Sequence, residues 1–347
     1  MTASGPGTTV SLIVPCYNDE RTLRPCLESV YAQIRLPDEV LVVDDQSTDR
    51  SRRILRDFPC RVVRTARNSG PAAARNRGVR ETSGEIVFFL DADVALSPDA
   101  VGNAVRILAE NPQYACAYGN YATTPMIGES VVERYRALHA HYWRARAVGR
   151  VPTVVFALCA IRRSVLNELG PLDESLRASE DVEYSNRMTP RHSILLTSDI
   201  TGRHDDESEL LPMLTKQFKR SQWIVPVAAA HPGPAGLRAN RRRGLVAAAL
   251  SVLTLPLAVI GLPLLGVPAA FFLLFVLADP GLLRLALREG GRRFVLAVAA
   301  LHFLAQLAIV SGAVYGGVRW LIDPDFTSDA DGQQYQAIDA PAEVRRR

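Results

Sequence analysis

Residues 87–94 read "VFFLDADV", and this stretch decides how the N-terminal half of the chain is organised. A run of apolar, strand-forming residues ends at two aspartates, Asp91 and Asp93, separated by one alanine. Two carboxylates this close repel one another unless water screens them or a positive species lies between them. The stretch therefore predicts a buried strand that places paired carboxylates at one edge of a sheet.

Similar apolar runs alternate with helical patterns through the first ninety residues. The runs "VSLIVP", "EVLVV" and "EIVFFL" occupy 10–15, 39–43 and 85–90, and helical patterns occupy 20–33 and 71–82. Strands that are apolar throughout and separated by helices are typical of a mostly parallel sheet flanked by helices on both faces. We therefore predict an α/β fold, in which ligands bind at the carboxyl ends of the strands.

Polar side chains, most of them acidic, follow three of these predicted strands. They are Asn18 and Asp19 after the first, Asp44 and Asp45 after the second, and Asp91 and Asp93 after the run 85–90. Because the carboxyl ends of parallel strands lie at the same edge of a sheet, these side chains would form one acidic rim.

The turn after the first strand restricts the ligand that this rim would take. It reads "VPCYNDE" (14–20) and contains no glycine, whereas a dinucleotide-binding Rossmann domain carries GxGxxG there. The P-loop pattern GxxxxGK[ST] is absent from the sequence. A diphosphate could still be held beside carboxylates by a bridging divalent cation. We therefore predict that Asp91 and Asp93 bind Mn²⁺ or Mg²⁺, which in turn carries a diphosphate.

Composition restricts the class of protein less strongly. The formal net charge of +4 on 347 residues is modest and does not indicate a nucleic acid polymer as partner. Five cysteines form no CxxC pair and no zinc-type spacing, which favours reduced thiols in a cytosolic domain. The N-terminus has no basic region followed by an apolar core, so no secretory signal is expected.

Two stretches of the C-terminal half carry no charged residue, 244–278 and 294–318. The first would be ~52 Å long as one helix, at ~1.5 Å per residue, against a bilayer core of ~30 Å. Glycines and prolines near its middle predict a hairpin. We expect three transmembrane helices, near 244–261, 264–279 and 294–318.

The charges around these stretches predict an orientation in the cell membrane. Arginines at 241–243 and at 284–293 flank the predicted hairpin and would both stay on the cytoplasmic side. The catalytic domain would then be cytosolic in a multi-pass protein, and the third span would place the tail outside. Aromatic and basic helical patterns at 128–149 and 209–225 are typical of helices in the membrane interface, and they favour a lipid or lipid-linked acceptor over a soluble one.

The predicted organisation has four parts. They are a catalytic domain at 1–230 that includes the interfacial helix, a basic linker at 231–243, a transmembrane region at 244–320, and a polar, disordered tail at 321–347.

Five blocks occur in order along the first two-thirds of the chain. They are "SLIVPCYNDERTLRPCLESV", "VLVVDDQSTDRS", "NSGPAAARNRGV", "IVFFLDADV" and "SEDVEYSNRM". These blocks, over about residues 8–225, resemble those of the inverting family 2 nucleotide-sugar glycosyltransferases, which have the GT-A fold. The resemblance implies a nucleotide-diphosphate sugar donor, a divalent metal and a single-displacement mechanism. The pattern QxxRW of long-chain processive relatives is absent, since "QFKRSQW" (217–223) is the nearest stretch, and this favours single transfer.

The resemblance also implies roles for residues that match the family's motifs. Pro15 and Tyr17 would line the base pocket, Asp44 would accept a hydrogen bond from the base imide with Asp45 beside it, and Arg75 would lie near the nucleotide or diphosphate. Asp91 and Asp93 match the family's DxD motif, with Asp93 the stronger metal ligand, and His204 would be a third ligand. Asp181 matches the general base that deprotonates the acceptor hydroxyl.

Plainer interpretations stay open for several of these residues. Asp181 would also favour the dipole of a helix that it begins, Arg75 would also fit the surface of a helix, and a lone histidine such as His204 is often structural. At the level of function, the alternatives are a nucleotidyltransferase-like enzyme and a non-catalytic, membrane-anchored module that binds nucleotide sugars.

Overall fold

The computed structural model describes residues 7–176, 180–226, 239–323 and 326. Within them the chain forms two compact units, a sheet unit (7–122 and 144–205) and a helical unit (123–143 and 206–326). Most of the predicted basic linker and nearly all of the predicted polar tail lie outside the described residues.

Four neighbouring strands form the parallel half of the sheet, and three of them match the apolar runs of the sequence. The strands are β1 Val10–Cys16, β2 Glu39–Asp44, β3 Arg61–Arg64 and β4 Ile86–Leu90, and they lie in the order β3-β2-β1-β4. All three pairings among them are parallel. Leu12, Phe88 and Phe89 are fully buried, and each such side chain stabilises the fold by about 1.5–3 kcal/mol. The predicted α/β fold is confirmed.

The second half of the sheet is more mixed than the sequence indicates. Its strands are β5 Val94–Leu96, β6 Tyr114–Tyr121, β7 Gly149–Val151, β8 Leu158–Arg162 and β9 Ser193–His204. Strand β8 runs antiparallel to β4, β6 runs antiparallel to β8, and β9 runs parallel to β6. Both β5 and β7 pair antiparallel with β9. Four of these five pairings are antiparallel, so β4 marks the change from parallel to mixed pairing.

Helices cover the sheet and build the second unit. In chain order they are α1 Leu23–Tyr31, α2 Ser51–Leu55, α3 Pro71–Glu81, α4 Ala100–Glu110, α5 Val131–Ala145, α6 Arg163–Leu169, α7 Glu180–Met188, α8 Leu210–Ser221, α9 Arg242–Leu253, α10 Leu257–Ile260, α11 Gly266–Ala278 and α12 Pro280–Ile322. A short 3₁₀ helix, Leu262–Leu265, precedes α11.

The helical unit is built from α5, α8 and α9–α12. A core that includes Tyr135, Met213, Phe294 and Val298 joins α5 and α8 to α12. Helix α12 is interrupted at Gly291, whose φ of 71° lies in the left-handed region that favours glycine. Within the described residues, Arg242–Ile260 and Pro280–Ile322 have the length and apolar composition of membrane-crossing helices, and Leu262–Ala278 is a shorter apolar helix.

Candidate active site

A cavity of about 420 Å³ opens at the carboxyl ends of β1, β2 and β4, within the sheet unit. Predicted site residues in its lining are Pro15, Tyr17, Asp45, Arg75, Asp91 and Asp93. Its volume lies in the range of small-molecule sites, ~300–1,000 Å³. The acidic rim predicted from the sequence therefore borders a cavity of suitable size for a ligand.

Asp45 shapes one wall of this cavity through backbone donors. Its carboxylate accepts hydrogen bonds from Ser69 N at 3.0 Å, from Gly70 N at 2.7 Å and from Thr65 Oγ1 at 2.6 Å. Gly70 adopts a φ of 89°, which is strained for residues with a Cβ, and it precedes Pro71 at the first position of α3. Asp45 thus fixes the loop that leads into α3.

Asp44 lies behind this wall. Its Oδ1 accepts from Ser47 N at 2.8 Å, and Arg64 Nε lies 3.4 Å from its Oδ2. The Asp44 side chain is 1% exposed. The described residues that line the cavity include Asp45 and do not include Asp44. A contact between Asp44 and a nucleotide base therefore stays a prediction, and Asp45 is the aspartate that borders the cavity.

Arg75 occupies the centre of the site rather than a helix surface. It is 3% exposed on α3, and its Nη2 lies 2.6 Å from Asp91 Oδ1. Its Nη1 pairs with Glu180 at the start of α7. A planar guanidinium can hold two carboxylates at once, whereas one ammonium serves them less well. Arg75 consequently joins the strand end after β4 to the first turn of α7.

Asp93 is not paired with Arg75 and faces a histidine. His204 Nε2 lies 3.4 Å from Asp93 Oδ2, and the His204 ring stacks on Tyr121 with 4.8 Å between centroids. Asp93 Oδ1 is buried without a hydrogen-bond partner. Residue 204 reaches this position because β9 pairs with β5, in register with Val94.

These residues suit a divalent cation that shares its coordination with phosphate. A carboxylate oxygen with no partner and an adjacent imidazole are donors that Mn²⁺ accepts, and Mg²⁺ or Mn²⁺ in such sites is often held by one or two carboxylates. No cluster of three or more His, Cys, Asp or Glu ligands occurs within the described part of the chain. Asp93, with His204 beside it, is therefore the best-placed ligand, since one oxygen of Asp91 is held by Arg75.

The excess of acidic side chains at the cavity also favours a bound divalent cation. Asp19 also lines the cavity, and burial together with the charges of Asp93 and Asp91 raises the pKa of Asp19 to about 6. Among the described residues that line the cavity, four aspartates and Glu180 surround the single guanidinium of Arg75. A bound cation would relieve the repulsion among these carboxylates.

Asp181 lies in the first turn of α7, next to the pair formed by Arg75 and Glu180. Burial, and then the charge of Glu180, raises the pKa of Asp181 to about 6, although Arg75 acts in the opposite direction. Its Oδ1 accepts a hydrogen bond from Val182 N at 2.8 Å. A carboxylate with a pKa near 6 is a stronger base than an ordinary aspartate and is still ionised at neutral pH.

The predicted site omitted three residues with carboxylate or amide side chains that border the cavity, namely Asp19, Asn68 and Glu180. Asp19 had a signal in the sequence, because it belongs to the acidic rim after the first strand. Glu180 stands beside Asp181 in "SED", but its partner Arg75 is 105 residues away, and no local pattern indicates such a pair. Asn68 lies in the loop before α3 and begins the block "NSGPAAARNRGV", but no role was predicted for it.

The sequence of the sheet unit matches known proteins. Residues 11–170 match the family model described as Glycosyl transferase family 2. The chain is 27% identical over 226 residues to "Glycosyltransferase AglE" of Haloferax volcanii, across 63% of this chain and 73% of that protein. It is 26% identical over 184 residues to the poly-beta-1,6-N-acetyl-D-glucosamine synthase of Staphylococcus epidermidis, across 51% of this chain and only 44% of that protein.

A solved structure shares the fold. The mannosyltransferase PcManGT from Pyrobaculum calidifontis, in complex with GDP-Man and Mn²⁺, is similar over 88% of this chain and 86% of its own, with a TM-score of 0.52 and 21% identity. Residues 11–170 therefore belong to the family 2 glycosyltransferases, and the sheet unit has the GT-A fold. The resemblance stated from the sequence is confirmed.

Proposed function

We propose that this glycosyltransferase moves a sugar from a nucleotide-diphosphate sugar to an acceptor hydroxyl, by a single displacement that inverts the anomeric configuration. The observation that carries the proposal is the pairing of two features in one unit. One is the Asp93 oxygen that has no hydrogen-bond partner and lies beside His204, and the other is the raised pKa of Asp181, which follows the cavity-lining residue Glu180. The similar mannosyltransferase was solved with GDP-Man and Mn²⁺, and we propose the same classes of donor and ion here.

The nucleotide would lie along the wall formed by Pro15, Tyr17 and Asp45. Tyr17 is 48% exposed at the mouth of the cavity, which leaves its ring available to stack on a base. Asp93 and His204 would hold the cation at the opposite wall. When bound, Mn²⁺ or Mg²⁺ would offset the charge that develops on the departing diphosphate.

Asp181 would act on the acceptor. The acceptor oxygen attacks the anomeric carbon from the face opposite the diphosphate, the bond between that carbon and the diphosphate oxygen breaks, and Asp181 takes the hydroxyl proton. Glu180 is a poorer candidate for the base because Arg75 holds it in an ion pair. Arg75 would also hold Asp91 in place beside the donor.

The acceptor would be a lipid or a lipid-linked glycan, with the sheet unit in the cytosol at the cell membrane. The support is the second unit, since Arg242–Ile260 and Leu262–Ala278 form an uncharged apolar hairpin after Arg243. A cytosolic sheet unit would have access to the cell's nucleotide sugars, and attachment to a membrane would bring it to lipid-linked acceptors.

The test is turnover of the full-length protein purified in detergent. UDP-, GDP- and dTDP-sugars are each supplied with lipid extract, in Mn²⁺ or in EDTA, and free nucleoside diphosphate is measured. We expect release from one donor class, dependent on Mn²⁺ or Mg²⁺ and increased by the lipid extract. Release of pyrophosphate instead would indicate a nucleotidyltransferase, and binding without any turnover would indicate a non-catalytic module.

A further inference from the structure

The apolar stretch 242–278 folds back on itself, as the sequence predicts, and its two ends are tied together by polar groups. Arg243, at the start of the hairpin, donates to the carbonyl of Ala278, at its end, with Nη2 2.9 Å from the oxygen. Arg241 Nε lies 3.1 Å from Asp279 Oδ2. The start and the end of the hairpin are therefore held together by polar groups, which are suited to the headgroup region of a bilayer.

The tip of the hairpin carries no polar side chain. From 255 to 278 every residue is apolar, glycine or proline. Val259, Ile260 and Leu262 are 91%, 77% and 76% exposed at the turn. A loop that emerged into water on the far side of a membrane would gain from polar residues, and this turn has none. Its composition fits contact with lipid acyl chains.

The backbone at the tip is also suited to hydrocarbon, where an unpaired N–H group is costly. Turn bonds satisfy five of its N–H donors internally, from Leu257 N to Thr254 O, from Ala258 N to Leu255 O, from Val259 N to Pro256 O, from Gly261 N to Leu257 O and from Leu264 N to Gly261 O. Pro256 and Pro263 remove two further donors from this turn. The hydroxyl of Thr254 donates to Leu250 O at 2.7 Å.

The last apolar stretch, 294–318, differs because one of its faces is covered by α5. The hydroxyl of Tyr135 on α5 lies 3.0 Å from His302 Nδ1. His302 is eight residues into the stretch, or ~12 Å along a helix, close to the middle of a ~30 Å hydrocarbon core. If the stretch crossed a bilayer, α5 would be carried to the same depth.

If α5 reached that depth, several charged side chains would lie in the bilayer with it. Arg136, which follows Tyr135, lies 3.1 Å from Asp206 Oδ1 and 3.4 Å from Glu207 Oε2. Lys216 on α8 pairs with the same Glu207. Four ionised groups beside the middle of a membrane span would be strongly disfavoured in hydrocarbon.

Helix α8 covers the C-terminal part of the same stretch. A Cβ added at Gly312 would meet the backbone of Phe218, and one added at Gly316 would meet the backbone of Gln222. Gly312 and Gly316 therefore pack closely against the C-terminal end of α8 and the residue that follows it. Lys219 lies between those two contact points, so a crossing would take it into the bilayer as well.

We propose that the chain inserts into the bilayer through the hairpin 242–278 alone, with the tip held in the hydrocarbon, and that α12 stays on the side of the membrane where the hairpin begins. The partner surface is the acyl region of a lipid bilayer. The expectation of three crossing helices, with the tail outside, is replaced by one re-entrant insertion. The proposal does not depend on the donor or on the reaction.

The test uses single cysteines in the full chain, on a Cys60→Ser background that removes the one native cysteine that is not buried. The positions are Ile260→Cys at the tip, Ile322→Cys at the end of α12 and Arg288→Cys, which is exposed between the hairpin and the last apolar stretch. A membrane-impermeant maleimide is applied to intact cells and to inverted membrane vesicles. Gel filtration in detergent checks that each variant keeps its fold.

We expect Ile322→Cys and Arg288→Cys to label at least tenfold more in inverted vesicles than in intact cells. We expect Ile260→Cys to label only after detergent is added. Labelling of Ile322→Cys from the side opposite to Arg288→Cys would overturn the position of α12. Labelling of Ile260→Cys without detergent, from either side, would overturn the insertion of the tip.

Discussion

Arg75 Nη2 lies 2.6 Å from Asp91 Oδ1, so the first aspartate of "DAD" is neutralised by a cation of the chain itself. The second aspartate, Asp93, keeps a buried oxygen without a partner. The carboxylates of Asp91 and Asp93 thus have different partners. One is fixed by an arginine, and the other is available to a metal ion.

Replacing Arg75 with lysine should lower turnover by about 10²-fold, because one ammonium cannot hold Asp91 and Glu180 in the same geometry. The measurement is kcat at saturating donor, together with Tm. Arg77→Lys is the matched control, since Arg77 lies on the same helix and makes an exposed pair with Glu81. Equal activity of the two variants would contradict the bridging role.

Asp93→Asn should abolish turnover and raise the Mn²⁺ concentration needed for half-maximal nucleotide binding by at least ~10-fold, since it removes one anionic ligand. Asp99→Asn, at an exposed position before α4, serves as the control and should behave as the unmodified protein. Full activity of Asp93→Asn at limiting Mn²⁺ would refute the metal assignment.

Asp181→Asn should bind the donor normally and lose transfer by ~10²–10⁴-fold, the usual contribution of a general base. Calorimetric titration with nucleotide sugar measures the first effect, and product formation measures the second. A collapse of donor affinity in this variant would place Asp181 in the donor site instead.

The pH dependence of kcat should show an acidic limb near pH 6. Burial raises the pKa of Asp181 to about 6, and the base works only when it is deprotonated, so the rate should rise with pH through that value. The raised pKa also means that the folded state binds a proton more tightly than the unfolded state. Relative to Asp181→Asn, the unmodified protein should therefore gain stability as pH falls from about 6 towards 4. An acidic limb near pH 4 would contradict this environment.

The parallel half of the sheet could be predicted because its strands are continuous apolar runs bounded by polar residues. Strands β6 and β9 could not, since "YACAYGNY" and "SILLTSDITGRH" mix polar and apolar residues and are stabilised by pairing with distant strands. The site residues could be predicted only where a local sequence pattern marked them. Asp91, Asp93 and Asp45 came from strand ends, whereas the contact of Arg75 with Glu180 depends on tertiary packing that no local pattern encodes.

Gly316→Ala should destabilise the helical unit by about 1–3 kcal/mol, because its Cβ would meet the backbone of Gln222, which follows the last residue of α8. Thermal unfolding in detergent measures this effect. Gly266→Ala is the control, since no atom lies within 4 Å of its added Cβ. A Tm for Gly316→Ala equal to that of the control would show that α8 does not pack closely on α12.

The most direct test of the central claim is calorimetric titration of the full-length protein with UDP, GDP and dTDP, in Mn²⁺ and in EDTA, because it requires no acceptor. The account predicts that at least one nucleoside diphosphate binds in Mn²⁺, and that its affinity falls at least ~10-fold in EDTA and in Asp93→Asn. Binding unaffected by EDTA and by Asp93→Asn, or no binding of any of the three, would contradict a metal-dependent nucleotide-sugar site at the carboxyl ends of β1, β2 and β4.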